Sequence, residues 1–201
     1  MDYLYEEKAL SAGYKVVCGI DEAGRGPLAG PVYAAAVILP LGLEIEGLND
    51  SKKLSEKKRE QLFDVICEMA IDYSIGIATE KEIDEINILN ATFLAMHRAV
   101  EGLKQKPDYA LIDGNQYPKI PFVMEETVVK GDAKSMSIAA ASILAKVSRD
   151  RFMLEKAKEI PQYQFEKHKG YGTKVHYDML KEYGPSPIHR LTFLKKFYGE
   201  K

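Results

Sequence analysis

Residues 14–32 read YKVVCGIDEAGRGPLAGPV, and this stretch decides the fold class. Its first eight residues form an apolar, β-rich run that predicts a buried strand over 14–21. The run stops at two acids, Asp21 and Glu22, and a glycine cluster follows them directly. A second apolar run, VYAAAVIL over 32–39, predicts a neighbouring strand. We therefore expect a sheet with a polar site where its first strand ends.

The rest of the chain alternates between predicted strands and helices. In order, the pattern predicts a helix from the N-cap Ser55 to about residue 69, a strand over 72–79, a helix over 90–103, a strand over 109–113, a helix from 135 to about 158 and a short helix near 174–182. Such alternation is typical of a mixed α/β sheet with helices on its faces. We predict one domain over residues 1–201, in which residues from about 160 form a C-terminal extension.

Composition excludes several classes of protein. The 201 residues are 46% hydrophobic, which is enough for a sizeable core. No apolar run approaches the roughly 20 residues that a membrane-spanning helix needs, and the N-terminus lacks the features of a secretory signal. The two cysteines, Cys18 and Cys67, lie far apart without a CxxC motif, so we expect neither a disulfide framework nor a zinc site. We predict a cytoplasmic protein with no membrane partner.

Charge is distributed unevenly along the chain, although the net charge is only −2. Residues 1–129 carry 13 basic and 22 acidic side chains, whereas residues 130–201 carry 15 and 8. A basic last third is typical of a surface that binds a polyanion. The alternative is a set of solvated helix faces that differ in charge.

Acidic residues end three separate apolar runs. Asp21 and Glu22 follow VVCGI, Asp113 follows YALI, and Asp132 follows VVKG just before a predicted helix. A single such acid is often only a turn or N-cap residue. Three segments with the same pattern instead indicate acids gathered at one edge of the sheet. Gathered carboxylates repel one another, and they suit two Mg²⁺ or Mn²⁺ ions that act on a phosphodiester.

The segment GRGPLAGP follows the paired acids directly, at residues 24–31. It lacks the GKS or GKT ending of a P-loop. Gly24 and Gly26 let a substrate approach the backbone closely, and Arg25 suits a phosphate as a bidentate donor. The alternative is an ordinary glycine-rich turn between two strands.

Several motifs together resemble the signature of the bacterial ribonuclease HII family, a type 2 ribonuclease H. They are GIDEAGRGPLAGPV at 19–32, NDSKKL at 49–54, IDG at 112–114, KGD at 130–132, AAASILAKVSRD at 139–150, HKGYGT at 168–173 and HR at 189–190. The motifs occur in the family's order from about residue 14 to residue 193, and the longest are highly specific. The resemblance implies an RNase H-like α/β fold, with a mixed five-stranded sheet flanked by helices and a C-terminal helical extension.

The resemblance also implies an activity. The family's enzymes are metal-dependent endonucleases that cut the RNA strand of RNA–DNA hybrids and cut on the 5′ side of single ribonucleotides in duplex DNA. The products would carry 3′-hydroxyl and 5′-phosphate ends. The two divalent ions, Mn²⁺ or Mg²⁺, would be bound by Asp21, Glu22, Asp113 and Asp132.

The same resemblance assigns residues to the substrate. Gly24, Arg25 and Gly26 would read the ribose 2′-hydroxyl and the adjoining phosphate, because that hydroxyl distinguishes RNA from DNA. Tyr171 would stack on the deoxyribose just beyond the ribonucleotide. Without the resemblance, a tyrosine between two glycines would be interpreted as an ordinary surface ring.

Further polar residues are candidate contacts to the substrate. They are Ser51, Lys52, Lys53, Lys146 and Arg149. Lys146 and Arg149 lie three residues apart, which predicts a shared helix face, and ordinary solvated side chains are the alternative for each. His168 and His189 have no carboxylate or cysteine at metal-ligand spacing, so we interpret them as structural residues or phosphate-side donors.

Other functions agree less well with the sequence. Ribonuclease HIII would need an extra N-terminal substrate-binding domain, and about 13 residues precede the first predicted strand. A noncatalytic module that binds RNA–DNA hybrids would lose at least one of the four acids. A metabolic α/β enzyme that uses Asp21 and Glu22 as an acid/base pair would not explain the basic last third.

The expected partners are therefore nucleic acids, and we expect a monomer. The last residues, LTFLKKFYGEK at 191–201, partly resemble tails that bind sliding clamps, but the usual leading glutamine is absent. A clamp contact through this tail is the lesser alternative.

Overall fold

Five strands form one mixed sheet in this computed structural model, which describes residues 1–199. The strands are β1 (Val17–Ala23), β2 (Val32–Ile38), β3 (Asp72–Ala78), β4 (Tyr109–Asp113) and β5 (Met124–Val128), in the order β3-β2-β1-β4-β5 across the sheet. β1, β2 and β3 pair antiparallel, whereas β1, β4 and β5 pair parallel. The predicted mixed five-stranded sheet is confirmed, and β1 is its central strand.

Helices cover both faces of the sheet. They are α1 (Leu4–Ser11), α2 (Glu56–Met69), α3 (Glu80–Glu101), α4 (Met136–Glu159), α5 (Phe165–His168), α6 (Lys174–Tyr183) and α7 (Leu191–Tyr198). Ser55 caps α2 as predicted, since its hydroxyl accepts a hydrogen bond from the Lys58 N–H at 3.2 Å. No helix within residues 1–199 is long and apolar enough to cross a membrane.

Alternate residues of β2 belong to two different cores. Ala34 and Ala36 pack with α3 residues such as Ala95 on one side of the sheet. Ala35 and Val37 pack with residues of α2 and α4 on the other side. Successive side chains of a strand point to opposite faces, so a strand covered on both faces is apolar throughout.

Two glycines let helices approach the sheet closely. A Cβ atom at Gly19 in β1 would collide with the backbone of Ser137 in α4. A Cβ atom at Gly76 in β3 would likewise collide with the backbone at Ala95 in α3. A larger residue at either position would push its helix away from the sheet, so β1 is held directly against α4.

The third helix differs from its prediction. α3 begins at Glu80, well before the predicted start at residue 90, because Thr79 and Glu82 form a capping box. Asn87 interrupts the helix with φ 67° and ψ 165°, and its side-chain oxygen then accepts two backbone N–H groups of the second half. The apolar periodicity becomes regular only after this break, which is why the pattern predicts the second half alone.

Two terminal helices, α1 and α7, were not predicted. Glu6 of α1 is buried and accepts a hydrogen bond from the hydroxyl of Ser135 at 2.7 Å, which fastens α1 to the start of α4. Asp84 of α3 accepts from the backbone N–H groups of Leu191 and Thr192, which fastens the start of α7. Both attachments are long-range, and helices this short depend on such packing.

The segments after α4 form an apolar cluster of their own. Phe165, Leu180 and Leu194 pack with Leu28 of the loop between β1 and β2 and with Met153 of α4. The predicted short helix near 174–182 is confirmed as α6. The cluster joins the basic last third of the chain to the glycine-rich segment.

The C-terminal tail lies against this cluster. Leu194 is buried, and the ring of Phe197 packs against Tyr177 with 5.2 Å between centroids. The Tyr198 hydroxyl donates to the carbonyl oxygen of Leu180 at 3.3 Å. Two of the apolar side chains that suggested a clamp-binding tail are therefore packed inward, and residues 200 and 201 of that motif lie outside the described residues.

Candidate active site

Asp21 and Asp113 lie on adjacent strands at one edge of the sheet. β1 and β4 pair in parallel up to Ile20 and Ile112. Each acid is therefore the first residue beyond the pairing between these two strands. The prediction that β1 ends at its acids is wrong. The strand continues to Ala23, because Glu22 and Ala23 still pair with β2. Asp21 is thus fixed within a strand and is only 5% exposed.

Asp132 reaches the same edge from the turn that follows β5. The turn is 3₁₀-helical over Gly131–Ala133, and the Gly131 N–H donates to Asp113 Oδ1 at 2.6 Å. The buried Asp132 carboxylate faces Lys52, whose Nζ lies 3.7 Å from Asp132 Oδ2. The fold therefore brings the acids of three separate segments to one region, as the sequence indicates.

Burial and the charges of neighbouring acids raise the pKa values of Asp21, Glu22 and Asp132. Burial raises the pKa of Asp21 well above its usual range, and the charges of Glu22 and Asp113 raise it further. Burial also raises the pKa of Glu22, against the lowering effect of Arg25. The pKa of Asp132 is raised first by burial and then by Asp113. The protein itself only partly compensates the negative charge gathered here.

The chemistry of this donor set fits a divalent cation. All four groups are carboxylates, which are the ligands that Mg²⁺ and Mn²⁺ prefer. Across residues 1–199, no three acid, histidine or cysteine side chains lie close enough together to hold an ion as they stand. The raised pKa values of Asp21, Glu22 and Asp132 show that negative charge is unfavourable here, and a bound cation would offset that cost.

Arg190 holds the glycine-rich loop from beneath. Its fully buried guanidinium donates to the carbonyl oxygens of Gly24 at 2.6 Å, Arg25 at 3.0 Å, Pro27 at 2.8 Å and Gly30 at 2.8 Å. A guanidinium presents five N–H donors in a rigid fork, so one side chain fixes several carbonyl groups at once. The loop between β1 and β2 is thereby shaped by a residue from the far end of the chain.

Arg149 has the same role, which corrects its prediction as a phosphate contact. The side chain is 1% exposed and donates to the carbonyl oxygens of Ala29 at 3.0 Å, Pro31 at 3.2 Å and Lys169 at 3.1 Å. Lys146, one turn earlier, is only partly buried. Because α4 is buried on nearly all sides, spacing along the helix does not give the two residues equal exposure.

The loop leaves hydrogen-bond donors available beside the acids. In the part of the chain that the structure describes, the N–H groups of Arg25 and Gly26 donate to no protein acceptor. The Arg25 guanidinium lies 3.3 Å from Glu22 Oε1, and about half of its side chain is exposed. A Cβ atom at Gly26 would lie 3.7 Å from the ring of Tyr171, so the loop and this ring are neighbours.

One cleft gathers most of these groups. Eight of the residues predicted to bind substrate line it, namely Gly24, Arg25, Gly26, Ser51, Lys52, Lys146, Arg149 and Tyr171. Asp21 and Glu22 line the same cleft, whereas Asp113 lies in an adjoining hollow that shares Glu22 and Arg25 with it. Lys53, also proposed as a contact, does not line the cleft.

The two lysines of the cleft have different acidic partners. Lys146 Nζ donates to Asp150 Oδ1 at 2.7 Å. Lys52 is largely exposed and faces Asp132. Burial alone would lower the pKa of Lys52, but the charges of Asp132 and Asp21 outweigh burial and raise it. Lys52 is therefore firmly cationic beside the acids.

Tyr171 lines the cleft beside Gly26, with 44% of its surface exposed. Its N–H donates to the carbonyl oxygen of His168 at 2.9 Å, and its own carbonyl oxygen lies 2.9 Å from His176 Nδ1. His168, His176 and His189 are all buried behind it. Of the two interpretations of His168 and His189, burial supports the structural one.

Three residues of this region received no role from the sequence: Arg190, His176 and Ser142. The Ser142 hydroxyl lies 2.9 Å from that of Ser51, and it opposes the rise in the pKa of Asp21. Ser142 and Arg190 lie within the motifs quoted above, which is the one signal that singles them out. Buried polar groups find partners that are distant in sequence, so their roles become visible only in the fold.

Comparison with known proteins identifies the family. The family model described as Ribonuclease HII matches residues 18–196, which is most of the chain. The ribonuclease HII of Endomicrobium trichonymphae is 61% identical over 191 residues, which cover 95% of this chain and 91% of that protein. The ribonuclease HII of Caldicellulosiruptor bescii is 58% identical over 190 residues, which cover 94% and 92%.

Solved structures agree with this assignment and confirm the predicted RNase H-like fold. The ribonuclease H2 of Pyrococcus horikoshii OT3 matches with a TM-score of 0.72 at 29% identity, covering 93% of this chain and 100% of that chain. A chain in the PCNA:RNase HII complex of Archaeoglobus fulgidus matches with a TM-score of 0.72 at 25% identity, covering 88% and 94%. The chain therefore belongs to the ribonuclease HII family and is an endoribonuclease, a ribonuclease H of type 2.

Proposed function

We propose that this ribonuclease hydrolyses the RNA strand of RNA–DNA hybrids and cuts on the 5′ side of single ribonucleotides in duplex DNA. The products carry 3′-hydroxyl and 5′-phosphate ends. The observation that carries the proposal is the loop beside the acids, where the N–H groups of Arg25 and Gly26 have no acceptor within residues 1–199. Backbone donors meet a 2′-hydroxyl whatever the base, so they suit an enzyme that senses ribose and not sequence.

We assign metal binding to Asp21, Glu22, Asp113 and Asp132. Two divalent ions bound there, Mg²⁺ or Mn²⁺, would supply an activated water molecule and stabilise the leaving oxygen. The raised pKa of Asp21 supports this role, because a cation offsets both the cost of burying the charge and the repulsion from neighbouring acids. Ser142 favours the charged form of Asp21, and Lys52 pairs with the carboxylate of Asp132.

The rest of the cleft would bind the backbone of the duplex. Lys52 and Lys146 supply positive charge for phosphates, Arg25 adds a bidentate donor, and Ser51 adds a hydroxyl. Tyr171 would stack on the deoxyribose that follows the ribonucleotide, since its exposed ring neighbours the loop. The loop and the ring together then recognise a step from ribose to deoxyribose. We further propose that the enzyme acts as a monomer in the cytoplasm.

Two duplexes of identical sequence test the proposal, one all-DNA and one with a single embedded ribonucleotide. Each is incubated with the protein in Mg²⁺, in Mn²⁺ or in EDTA, and the labelled products are sized against a ladder. We expect cleavage only with metal, on the 5′ side of the ribonucleotide. The preference should be about 10⁴-fold, because a site that hydrogen-bonds a hydroxyl rejects the analogue without it.

Each other outcome contradicts a separate part of the proposal. Comparable cleavage of both duplexes would contradict recognition of the 2′-hydroxyl. Full turnover in EDTA would contradict the metal-binding role of the acids. Tight binding without cleavage would support the noncatalytic hybrid-binding module instead.

A further inference from the structure

Three histidines lie packed together beneath Tyr171, away from the acids. His168, His176 and His189 are 6%, 0% and 3% exposed. The rings of His168 and His176 are stacked, with 4.4 Å between centroids, and His189 lies 5.1 Å from His176. The chemistry proposed for the acids uses none of them.

The hydrogen bonds between two of these histidines have a defined direction. His176 Nδ1 lies 2.9 Å from the carbonyl oxygen of Tyr171, which can only accept, so Nδ1 carries the proton. A neutral imidazole has one N–H, so His176 Nε2 accepts, and His189 Nε2, 2.8 Å away, donates to it. His189 Nδ1 is then an acceptor, and the N–H of Ser186 donates to it at 2.8 Å. Each tautomer is fixed by its neighbours.

Both rings are neutral at pH 7. Burial lowers the pKa of His176 to about 4 and that of His189 to about 3. The result is a one-way chain of donors that runs from Ser186 through His189 and His176 to the backbone of Tyr171. Protonation of either ring would put two N–H groups face to face and break the chain.

His168 fixes the backbone on the N-terminal side of Tyr171. Its Nδ1 accepts from the Gly170 N–H at 3.2 Å, and its carbonyl oxygen accepts from the Tyr171 N–H at 2.9 Å. The carbonyl oxygen of Tyr171 also accepts from the Thr173 N–H at 2.8 Å. Both backbone polar groups of Tyr171 are therefore fixed, while its ring extends into the cleft.

We propose that His176 and His189 are positioning residues that act on the substrate through Tyr171. By fixing the Tyr171 carbonyl group, they hold the ring at the angle that meets the sugar beyond the ribonucleotide. Neither histidine touches the substrate. The inference rests on the proposed stacking role of Tyr171, and it assigns the orientation of that ring to the two histidines.

A matched pair of substitutions separates the donor from the bulk of the ring. His176→Asn keeps an amide N–H near the place of Nδ1, whereas His176→Gln moves its amide to the place of Nε2 and loses the donor to Tyr171. We expect His176→Gln to lower kcat/KM on the single-ribonucleotide duplex about tenfold, which corresponds to about 1.4 kcal/mol. His176→Asn should stay within about threefold of wild type.

A double-mutant cycle with Tyr171→Ala tells positioning from general support of the fold. If His176 acts through the ring, His176→Gln should cost less than about twofold once the ring is gone, because the two effects share one cause. Full additivity of the two losses would overturn the proposal, since a structural role would be felt with or without the ring. Wild-type kinetics for His176→Gln would overturn it equally.

Failure of the underlying function is distinguishable. Wild-type kinetics for Tyr171→Ala alone would refute the stacking role of Tyr171, whatever the histidines do. If Tyr171→Ala lowers kcat/KM and the loss from His176→Gln adds to it in full, only the positioning role of the histidines is refuted. If circular dichroism shows a position-176 variant to be unfolded, the pair His189→Gln and His189→Asn makes the same comparison. The first of these keeps a donor toward His176 and should be active, and equal activity of the two would overturn the proposal.

Discussion

The two walls of the cleft are stabilised in opposite ways. The acid wall consists of Asp21 and Glu22 together with Asp113 in the adjoining hollow and Asp132 beside Lys52. The loop wall consists of residues 24–31 with Tyr171. In the acid wall, burial and like charges disfavour the charged carboxylates and raise the pKa of Asp21. In the loop wall, the buried donors Arg149 and Arg190 meet carbonyl oxygens at hydrogen-bond distance.

This difference separates stability from activity. Removing a charge from the acid wall relieves repulsion but removes a proposed ligand for the cation. Removing a donor from the loop wall leaves buried carbonyl groups unpaired, which costs stability as well. In the acid wall, the charges proposed to serve activity lower the stability of the folded protein. In the loop wall, the same hydrogen bonds support both stability and activity.

The largest expected effect is the loss of cleavage in Asp21→Asn and Asp113→Asn. We expect kcat/KM to fall at least about 1000-fold, or about 4 kcal/mol, because a cation ligand is neutralised. The metal-free protein should unfold at an equal or higher urea concentration than wild type, since repulsion is relieved. Asp64→Asn is the control, because its side chain is 80% exposed, and it should change neither quantity. A lower urea midpoint for metal-free Asp21→Asn would refute the repulsion argument.

The next effect is a loss of stability in Arg190→Met. This change keeps an apolar stem but deletes the donors to four loop carbonyl groups, so we expect about 3 kcal/mol of destabilisation. Activity should fall as well, because the loop is released. Arg151→Met is the matched control, since that side chain is 45% exposed and pairs with Glu60, and it should cost less than about 1 kcal/mol. Equal urea midpoints for the two variants would contradict the role of Arg190.

A smaller effect is expected for Tyr171. If the ring stacks on a sugar, Tyr171→Ala should lose about 1–3 kcal/mol of transition-state binding, or roughly 5- to 150-fold in kcat/KM, and Tyr171→Phe should lose little. Losses of equal size for both variants would show that the hydroxyl acts instead. Tyr183→Ala is the control, because Tyr183 is also about half exposed. Wild-type kinetics for Tyr171→Ala on the single-ribonucleotide duplex would refute the stacking role, and Tyr171 would then be an ordinary surface residue.

The last expected effect is a pH dependence of stability that arises from the histidines behind the loop wall. The pKa values of His176 and His189 are lowered to about 4 and about 3, so the unfolded chain takes up protons at these positions below pH 6.5 while the folded protein does not. Their contribution is complete above pH 6.5 and is lost as pH falls toward 4, by up to about 1.4 kcal/mol per pH unit for each ring.

Urea unfolding at pH 7, 6 and 5 measures this slope. The raised pKa of Asp21 has the opposite effect, because it stabilises the folded protein as pH falls. The single variant Asp21→Asn is therefore compared with the double variant Asp21→Asn/His189→Gln. The double variant should lose less stability over this range because it has one titrating ring fewer. Identical slopes would mean that His189 is protonated in the folded state.

Local patterns predict those features whose causes are local. The strand that carries Ile112 and the helix capped by Ser55 were predicted because apolar periodicity and capping residues lie within the element itself. The four acids were found because each follows an apolar run. Their arrival at one edge follows from the topology, since parallel strands end together.

Features that depend on distant partners could not be predicted. Arg190 looks like any basic residue of the last third, and only the fold shows that it is buried against carbonyl groups of the loop. Arg149 was assigned to a phosphate from its spacing to Lys146, and the burial of α4 overrides that spacing. The early start of α3 was missed because its first turns are polar and are separated from the apolar half by Asn87.

The sheet topology has a consequence for how the chain folds. β1, β2 and β3 pair with near neighbours, but the other edge of β1 pairs with β4, and Val17 meets a residue about 90 positions later. Closing so long a loop is slow, so the antiparallel meander should form first. During synthesis, this edge of β1 stays unpaired until β4 has left the ribosome. An unpaired strand edge is a surface on which two nascent chains can pair. Pairing of β4 with β1 thus brings Asp113 beside Asp21 in the same step that removes the exposed edge of β1.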